Sequence, residues 1–287
     1  MRLSVFLAVF YFVCFVPPGL KAGESSKELD FARHLVNRND LNEAFFVLEN
    51  INPKTPSLQD SVFHLKGWVL YRQMKLEPSA GLLLKVSENS PYYLKSRFFG
   101  AYNLSHINQT DKAEEILYGL DLEANTMHGN MQNFQLSGLA LLNRDFDGFE
   151  KRAENFTGSF HAFASEERNM HRHYQRLADA PGRSPFVAGL LSTAVPGLGK
   201  IYAGKTAEGV VGFLYVAAMG LTAFDFYRGS GPQSALFIST ASIAGIFYIG
   251  NIWGSVTAVN RQNMEFNHEI NQRILFDMHI PLRNAFN

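Results

Sequence analysis

Leu65-Lys66-Gly67-Trp68-Val69-Leu70-Tyr71, closed by the break Lys75-Leu76-Glu77-Pro78 and followed by the stretch Ser79–Val86, decides the fold of the N-terminal part. Apolar residues recur at helical spacing, a polar break interrupts them, and a second amphipathic stretch follows. That order predicts two antiparallel helices. It returns on either side. The breaks Asn37-Arg38-Asn39-Asp40, Asn108-Gln109-Thr110-Asp111 and Asn143-Arg144-Asp145 precede the stretches Leu41–Ile51, Lys112–Leu120 and Phe146–Phe156. Ala44, Ala80 and Ala113 hold matching places in the second stretches, with Phe149 at the fourth, at separations of 36, 33 and 36 residues. Ala32, Gly67, Gly100 and Gly138 precede them by 12, 13, 13 and 11 residues. Small residues there let paired helices approach closely. Trp68, Leu70, Phe99, Tyr102 and Leu141 are large enough to fill the space between hairpins. Pro53 and Pro91 follow second helices, where a proline stops a helix without removing an internal hydrogen bond.

A period of about 34 residues with small residues at both contacts resembles the tetratricopeptide repeat. The resemblance covers residues 24–156 and implies stacked hairpins, because one hairpin cannot bury its apolar face alone. It further implies a surface that binds a protein or peptide partner. A nonrepetitive helical bundle is the alternative.

Upstream, residues 1–22 have the layout of a secretory signal peptide. Arg2 is the positive head, Leu3 to Val16 is apolar apart from Ser4, and Pro17, Pro18 and Gly19 break the helix before Ala22. Cleavage would start the mature chain near Gly23 and remove Cys14, the single cysteine. No disulfide, thiolate nucleophile or thiolate metal site would remain. Lys plus Arg equals Asp plus Glu at 26 each, so no basic field exists for nucleic acid.

Downstream, residues 157–184 read as a helical linker. His161, His171 and His173 lie in it, but 171 and 173 are two apart and face different ways on a helix. The i, i+4 spacing of helical zinc sites is missing, and all three are expected at the surface. No catalytic set, cofactor site or metal site stands out. Residues 185–259 are poor in charge and read as a transmembrane domain. It holds three apolar stretches: Phe186 to Val195, about Ala207 to Phe226, and about Ala235 to Val259. The last two have the length of a span, about 20 residues. The first is a short span or a re-entrant segment.

Between the first and second stretches, Gly199-Lys200-Ile201-Tyr202-Ala203-Gly204-Lys205-Thr206 fits the phosphate-loop pattern G-x-x-x-x-G-K-[ST]. That pattern works when a strand delivers the loop. Here an apolar helix ending in Pro196 precedes it, so a nucleotide-binding enzyme is the least favoured reading. The same residues read better as a membrane turn. Pro196 stops a helix, Gly197 and Gly199 permit unusual backbone angles, Tyr202 suits an interface, and Gly204 completes the turn motif. Lys200 and Lys205 reach toward headgroups.

The run P-G-x-G-x-x-Y-x-G at 196–204 resembles the small two-transmembrane-helix domain family, whose turn is G-x-x-x-x-F-Y-x-G. It resembles more closely bacterial envelope proteins with the P-G-x-G-x-x-Y-x-G turn, in which glutamine commonly stands at the place of Lys200. The resemblance implies a membrane module, with Asp225 closing the second helix.

Gly250 and Gly254 lie on one helical face and suit close packing in lipid, within the chain in preference to a homo-oligomer. Residues 260–287 form a polar helical tail, with Phe266, Ile270, Ile274 and Leu275 on one side, continuing out of the membrane or lying on its surface. The chain thus reads as all-α: a helical-hairpin repeat domain plus a transmembrane hairpin or three-helix module. The function expected is a membrane-anchored envelope scaffold, not an enzyme, in contact with membrane lipid. Its repeat domain would lie on the periplasmic side of a bacterial inner membrane. A transport or channel component is the alternative. Three crossings are expected, with the tail opposite the repeat domain.

Overall fold

The computed structural model describes residues 22–156, 158, 164–180 and 182–286. The expected signal segment with Arg2 and Cys14 falls outside these residues, as does His161. Every regular element among the described residues is a helix. They form two compact units, one running to Glu123 and including Phe286, the other from Ala124 to Ala285. The fourth hairpin, grouped by its sequence with the first three, belongs to the second unit.

The first unit has three hairpins: α1 (Ala22–Asn37) with α2 (Leu41–Asn50), α3 (Pro56–Arg72) with α4 (Leu76–Leu83), and α5 (Tyr93–His106) with α6 (Thr110–Tyr118). α2 rests on α3, and α4 on α5. α3 begins where Thr55 accepts from the Leu58 amide at 3.3 Å and Pro56 opens the first turn. Ala32, Ala44, Ala80 and Ala113 are all buried. A Cβ on Gly67 would stand 2.7 Å from Leu83 Cγ, so that glycine admits the facing helix. Ser79 Oγ donates to the Gly67 carbonyl at 2.7 Å and accepts from Asn103 Nδ2 at 2.9 Å, tying α3, α4 and α5 together. His64 stacks on Tyr92 and meets Ser96 Oγ at 2.8 Å. Burial pushes its pKa down to about 3, and the charges of Lys95 and Arg33 add to the effect.

One turn recurs in all four hairpins. Asn39, Met74, Asn108 and Arg144 take left-handed backbone angles. The next amides, of Asp40, Lys75, Gln109 and Asp145, donate to carbonyls five residues back. This Schellman arrangement satisfies the otherwise unpaired carbonyls at the helix end.

The second unit opens with the hairpin α7 (Met127–Leu142) and α8 (Phe146–Ala153), against which α9 (Ala164–Ala178) packs through α7. Then come α10 (Pro185–Ala194), α11 (Leu198–Tyr202), α12 (Thr206–Ser230) and α13 (Ala235–Phe286). α13 has 52 residues, a length of about 78 Å at 1.5 Å per residue. Its first half leaves Ile246, Ile249 and Trp253 exposed, whereas Ile270, Ile274, Met278 and Leu282 in its second half are fully buried. The tail is therefore core; of the two expected courses, a helix continuing from the third apolar stretch and one lying on a membrane surface, the continuing helix is the one present. Its partners are α7 and α9. A Cβ on Gly138 would stand 2.5 Å from Met278 Sδ, so the small residue of the fourth hairpin makes room for the tail. Gln135 Nε2 donates to the Met278 carbonyl at 2.7 Å. Asp277 accepts from Asn169 at 2.9 Å and meets His173 Nε2 at 2.7 Å. His173 is accordingly buried, contrary to the surface position expected for it, while His171 is exposed.

Candidate functional site

α12 and α13 are long and apolar enough to cross a membrane; α10 is shorter. Ser184 caps α10, its Oγ accepting from the Val187 amide, and Pro185 takes the first position. Ten residues carry the chain about 15 Å. It turns at Val195-Pro196-Gly197 and comes back through α11. The Ser184 amide then donates to the Tyr202 hydroxyl at 3.1 Å, so entry and exit lie side by side. Beside them, Asn263 Nδ2 donates to the Arg183 carbonyl at 3.0 Å, and the Arg183 guanidinium donates to Gln262. Among the described residues, α12 and α13 are the helices with the length of a span, and the folded-back α10–α11 segment lies beside them.

Each motif residue has a physical task. Gly197 takes φ of 90°, and a Cβ there would stand 2.0 Å from the Gly209 carbonyl oxygen. A Cβ on Gly199 would stand 2.0 Å from the Ala188 oxygen and 2.7 Å from Ser255 Cβ. Backbone atoms cannot swing away as a side chain can. The Gly199 amide donates to Ser192 Oγ at 2.9 Å, and Ser192 and Ser255 hydroxyls share a 2.7 Å bond. Gly204 is left-handed, and the Lys205 amide donates to the Lys200 carbonyl at 2.8 Å. This is the same turn that closes the first helix of each repeat hairpin.

The phosphate-loop letters fall on this turn. A cradle for phosphate needs free amides converging on an anion. Here the amides of Gly199, Lys200, Ile201, Ala203, Gly204 and Lys205 all donate within the turn or to Ser192. Among the described residues no group of three His, Cys, Asp or Glu is placed to hold a metal ion.

Beside the turn, α12 and α13 bound a cleft of about 620 Å³. Lys200, Glu208 and Asn251 supply its polar lining, while Val211, Tyr215 and Phe247 are among its apolar walls. Glu208 pairs with Lys205 at 3.2 Å. Gly250 lines the cleft with open space where a Cβ would stand, and Gly254 faces the aliphatic stem of Lys200. The close approach of α12 to α13 falls instead at Gly212, where a Cβ would stand 2.7 Å from Asn251 Nδ2. Asn251 is 6% exposed, and its Oδ1 has no partner. Asn251 and Ser255 were absent from the sequence reading. Two polar residues four apart in an apolar stretch share one helical face, and that was the available signal.

No family model, curated protein or solved structure matches the chain.

The first unit carries a separate groove of about 510 Å³ along α4, α5 and α6. Tyr93, Arg97, Lys112, Glu115 and Ile116 are among its lining residues. Both charge signs and apolar surface line it.

Proposed function

We propose that this protein is a membrane-anchored scaffold whose tetratricopeptide-like hairpins bind a protein or peptide partner. The observation that carries the reading is α13. One unbroken helix supplies exposed apolar surface in its first half and buried core in its second. A lone apolar helix inside a soluble protein would be covered, but the most apolar stretches of α12 and α13 are only 11% and 6% buried. Apolar surface of that extent in contact with water is costly, at roughly 25 cal/mol per Å². A bilayer removes the cost.

The same helix supports two crossings. The tail packs on α7 and α9, so both ends of the α12–α13 hairpin emerge on the side of α9. Two crossings result. With an exported N-terminal part, the hairpins and tail lie on the periplasmic side of a bacterial inner membrane. The turn at 231–234 then faces the cytoplasm with Arg228. Large exported domains follow the N-terminal signal largely regardless of flanking charge.

Cysteines placed singly at Glu49, Gln233 and Arg283 test this with an impermeant thiol reagent on intact cells. Sites 49 and 283 should label together and 233 should be protected; labelling at 49 with protection at 283 would remove the two-crossing reading. For the partner, a photoreactive side chain at Lys112 should give a discrete adduct in native membranes, and one at Lys54 should not. Equal behaviour at both positions would count against the groove. The internally satisfied amides of Gly199, Lys200, Ile201, Ala203, Gly204 and Lys205 favour a scaffold over a nucleotide-using enzyme. Saturable ATP binding lost in Lys205→Ala would reverse that preference.

A further inference from the structure

We propose that the cleft between α12 and α13 holds an anionic phospholipid, with its phosphate on Lys200 and a headgroup hydroxyl on Asn251. This rests on the membrane reading above. Lys200 is half-buried, and its ammonium makes no hydrogen bond or ion pair among the described residues. The one acid in the cleft, Glu208, already has Lys205. The unspent charge is thus positive. Asn251 leaves a buried acceptor without a donor, and a buried polar atom in that state costs about 1–3 kcal/mol. A hydroxyl-bearing headgroup supplies the missing donor, and its phosphate supplies the missing anion.

Polar and apolar linings segregate along the cleft, as the two ends of a phospholipid do. Gly209 faces Gly197 near the turn, Gly212 faces Asn251, and Tyr215 stacks on Phe247 at 6.0 Å. From Gly209 to Tyr215 the helix descends about 9 Å. Polar groups lie at the end nearer Ser184, Tyr202 and Gln262, where the interface falls in the two-crossing reading. Apolar walls lie at the deeper end. Gly250 leaves room on the floor. The volume is that of a pocket that buries a small ligand or one end of a large one. A second copy of this chain fits less well, because it brings the same unpaired lysine and the same unpaired acceptor.

The full-length protein, extracted in mild detergent with equal phosphatidylglycerol and phosphatidylcholine, tests the proposal by native mass spectrometry. Wild type should retain phosphatidylglycerol in preference. Lys200→Gln should lower that retention at least about fivefold, the worth of one lysine near an anionic surface. Lys200→Arg should keep it, which separates loss of charge from loss of fold. Asn251→Leu, which fills the cleft, should lower retention of both lipids. Arg228→Gln, at the far end of α12, should change nothing. Equal retention of the two lipids by wild type, or unchanged retention in Lys200→Gln, would overturn the proposal. So would displacement by millimolar glycerol 3-phosphate, which would make the site one for a free phosphate ester. Release of the protein from membranes by alkaline carbonate would instead defeat the membrane reading itself.

Discussion

Replacing Ile274 by alanine tests whether the tail is core. Ile274 is fully buried on the face of α13 that meets α7 and α9, while Phe276, two residues on, is 63% exposed. A fully buried isoleucine contributes about 1.5–3 kcal/mol by transfer from water. The cavity left behind raises the cost of Ile→Ala to about 2–5 kcal/mol. Since each 1.4 kcal/mol is a factor of about ten, opening of the unit should become roughly 30- to 3,000-fold more frequent. Phe276→Ala should change it little, because surface substitutions usually stay within about 0.5 kcal/mol. Hydrogen exchange on the solubilised full chain reads this directly at the α7 amides between Met131 and Leu142. Faster exchange in α7 for Ile274→Ala, with Phe276→Ala near wild type, is the expected result. Equal, small effects from both changes would mean that the tail leaves α7 in solution, and the two-crossing argument would lose its footing.

Gly199→Ala should destabilise the folded-back hairpin by about 1–3 kcal/mol, the usual cost of overpacking, because its Cβ meets the Ala188 oxygen at 2.0 Å. Gly220→Ala, whose Cβ meets nothing within 4 Å, should be neutral or mildly stabilising; thermal melts of the two variants that coincide would contradict this account of the turn. His64 titrates near pH 3 when folded, against 6.5 in the unfolded chain. The unfolded state therefore binds more protons between these values, and stability is full above pH 6.5 and falls as pH drops toward 3. At pH 5 the loss is about 2 kcal/mol at 1.36 kcal/mol per unit. Protection of the α3 amides should show it, and a His64→Gln variant that keeps the same pH slope would assign the loss to other groups.

The hairpins were legible because their punctuation is local. Asn39 and Asn108 are residues that tolerate left-handed angles, and they stand in the breaks that the sequence displays. Met74 and Arg144 take the same angle without any such preference, so period and polarity located those turns and residue type did not. Pro196, Gly197 and Gly199 announced a turn, but the meeting of Ser184 with Tyr202 was invisible, since no local pattern says where a chain returns. Length held a partial clue: ten helical residues cover about half of a hydrocarbon core of roughly 30 Å. The stripe of Ile270, Ile274 and Leu275 was legible as one apolar side of a helix. What covers it was not legible, because an amphipathic face binds lipid, another helix or a second chain by the same hydrophobic effect. Gly138 held the answer in disguise. It matched Gly67 and Gly100 in register, yet it accommodates Met278 where they accommodate Leu83 and Leu84.

The tail's place in the core has a consequence for the order in which the protein comes into being. Residues 270–282 follow both long apolar stretches in the chain and leave the ribosome after them, at about 5–20 residues per second, yet Gly138 and Gln135 wait for Met278. The fourth hairpin can form early, but its apolar face stays open until both long apolar stretches have been made and the second half of α13 has come back to it. Completion of this unit thus requires that both long apolar helices have already been made. A chain cut short before Ile270 keeps α12 and its first three hairpins, but it leaves bare the face of α7 that Met278 otherwise covers.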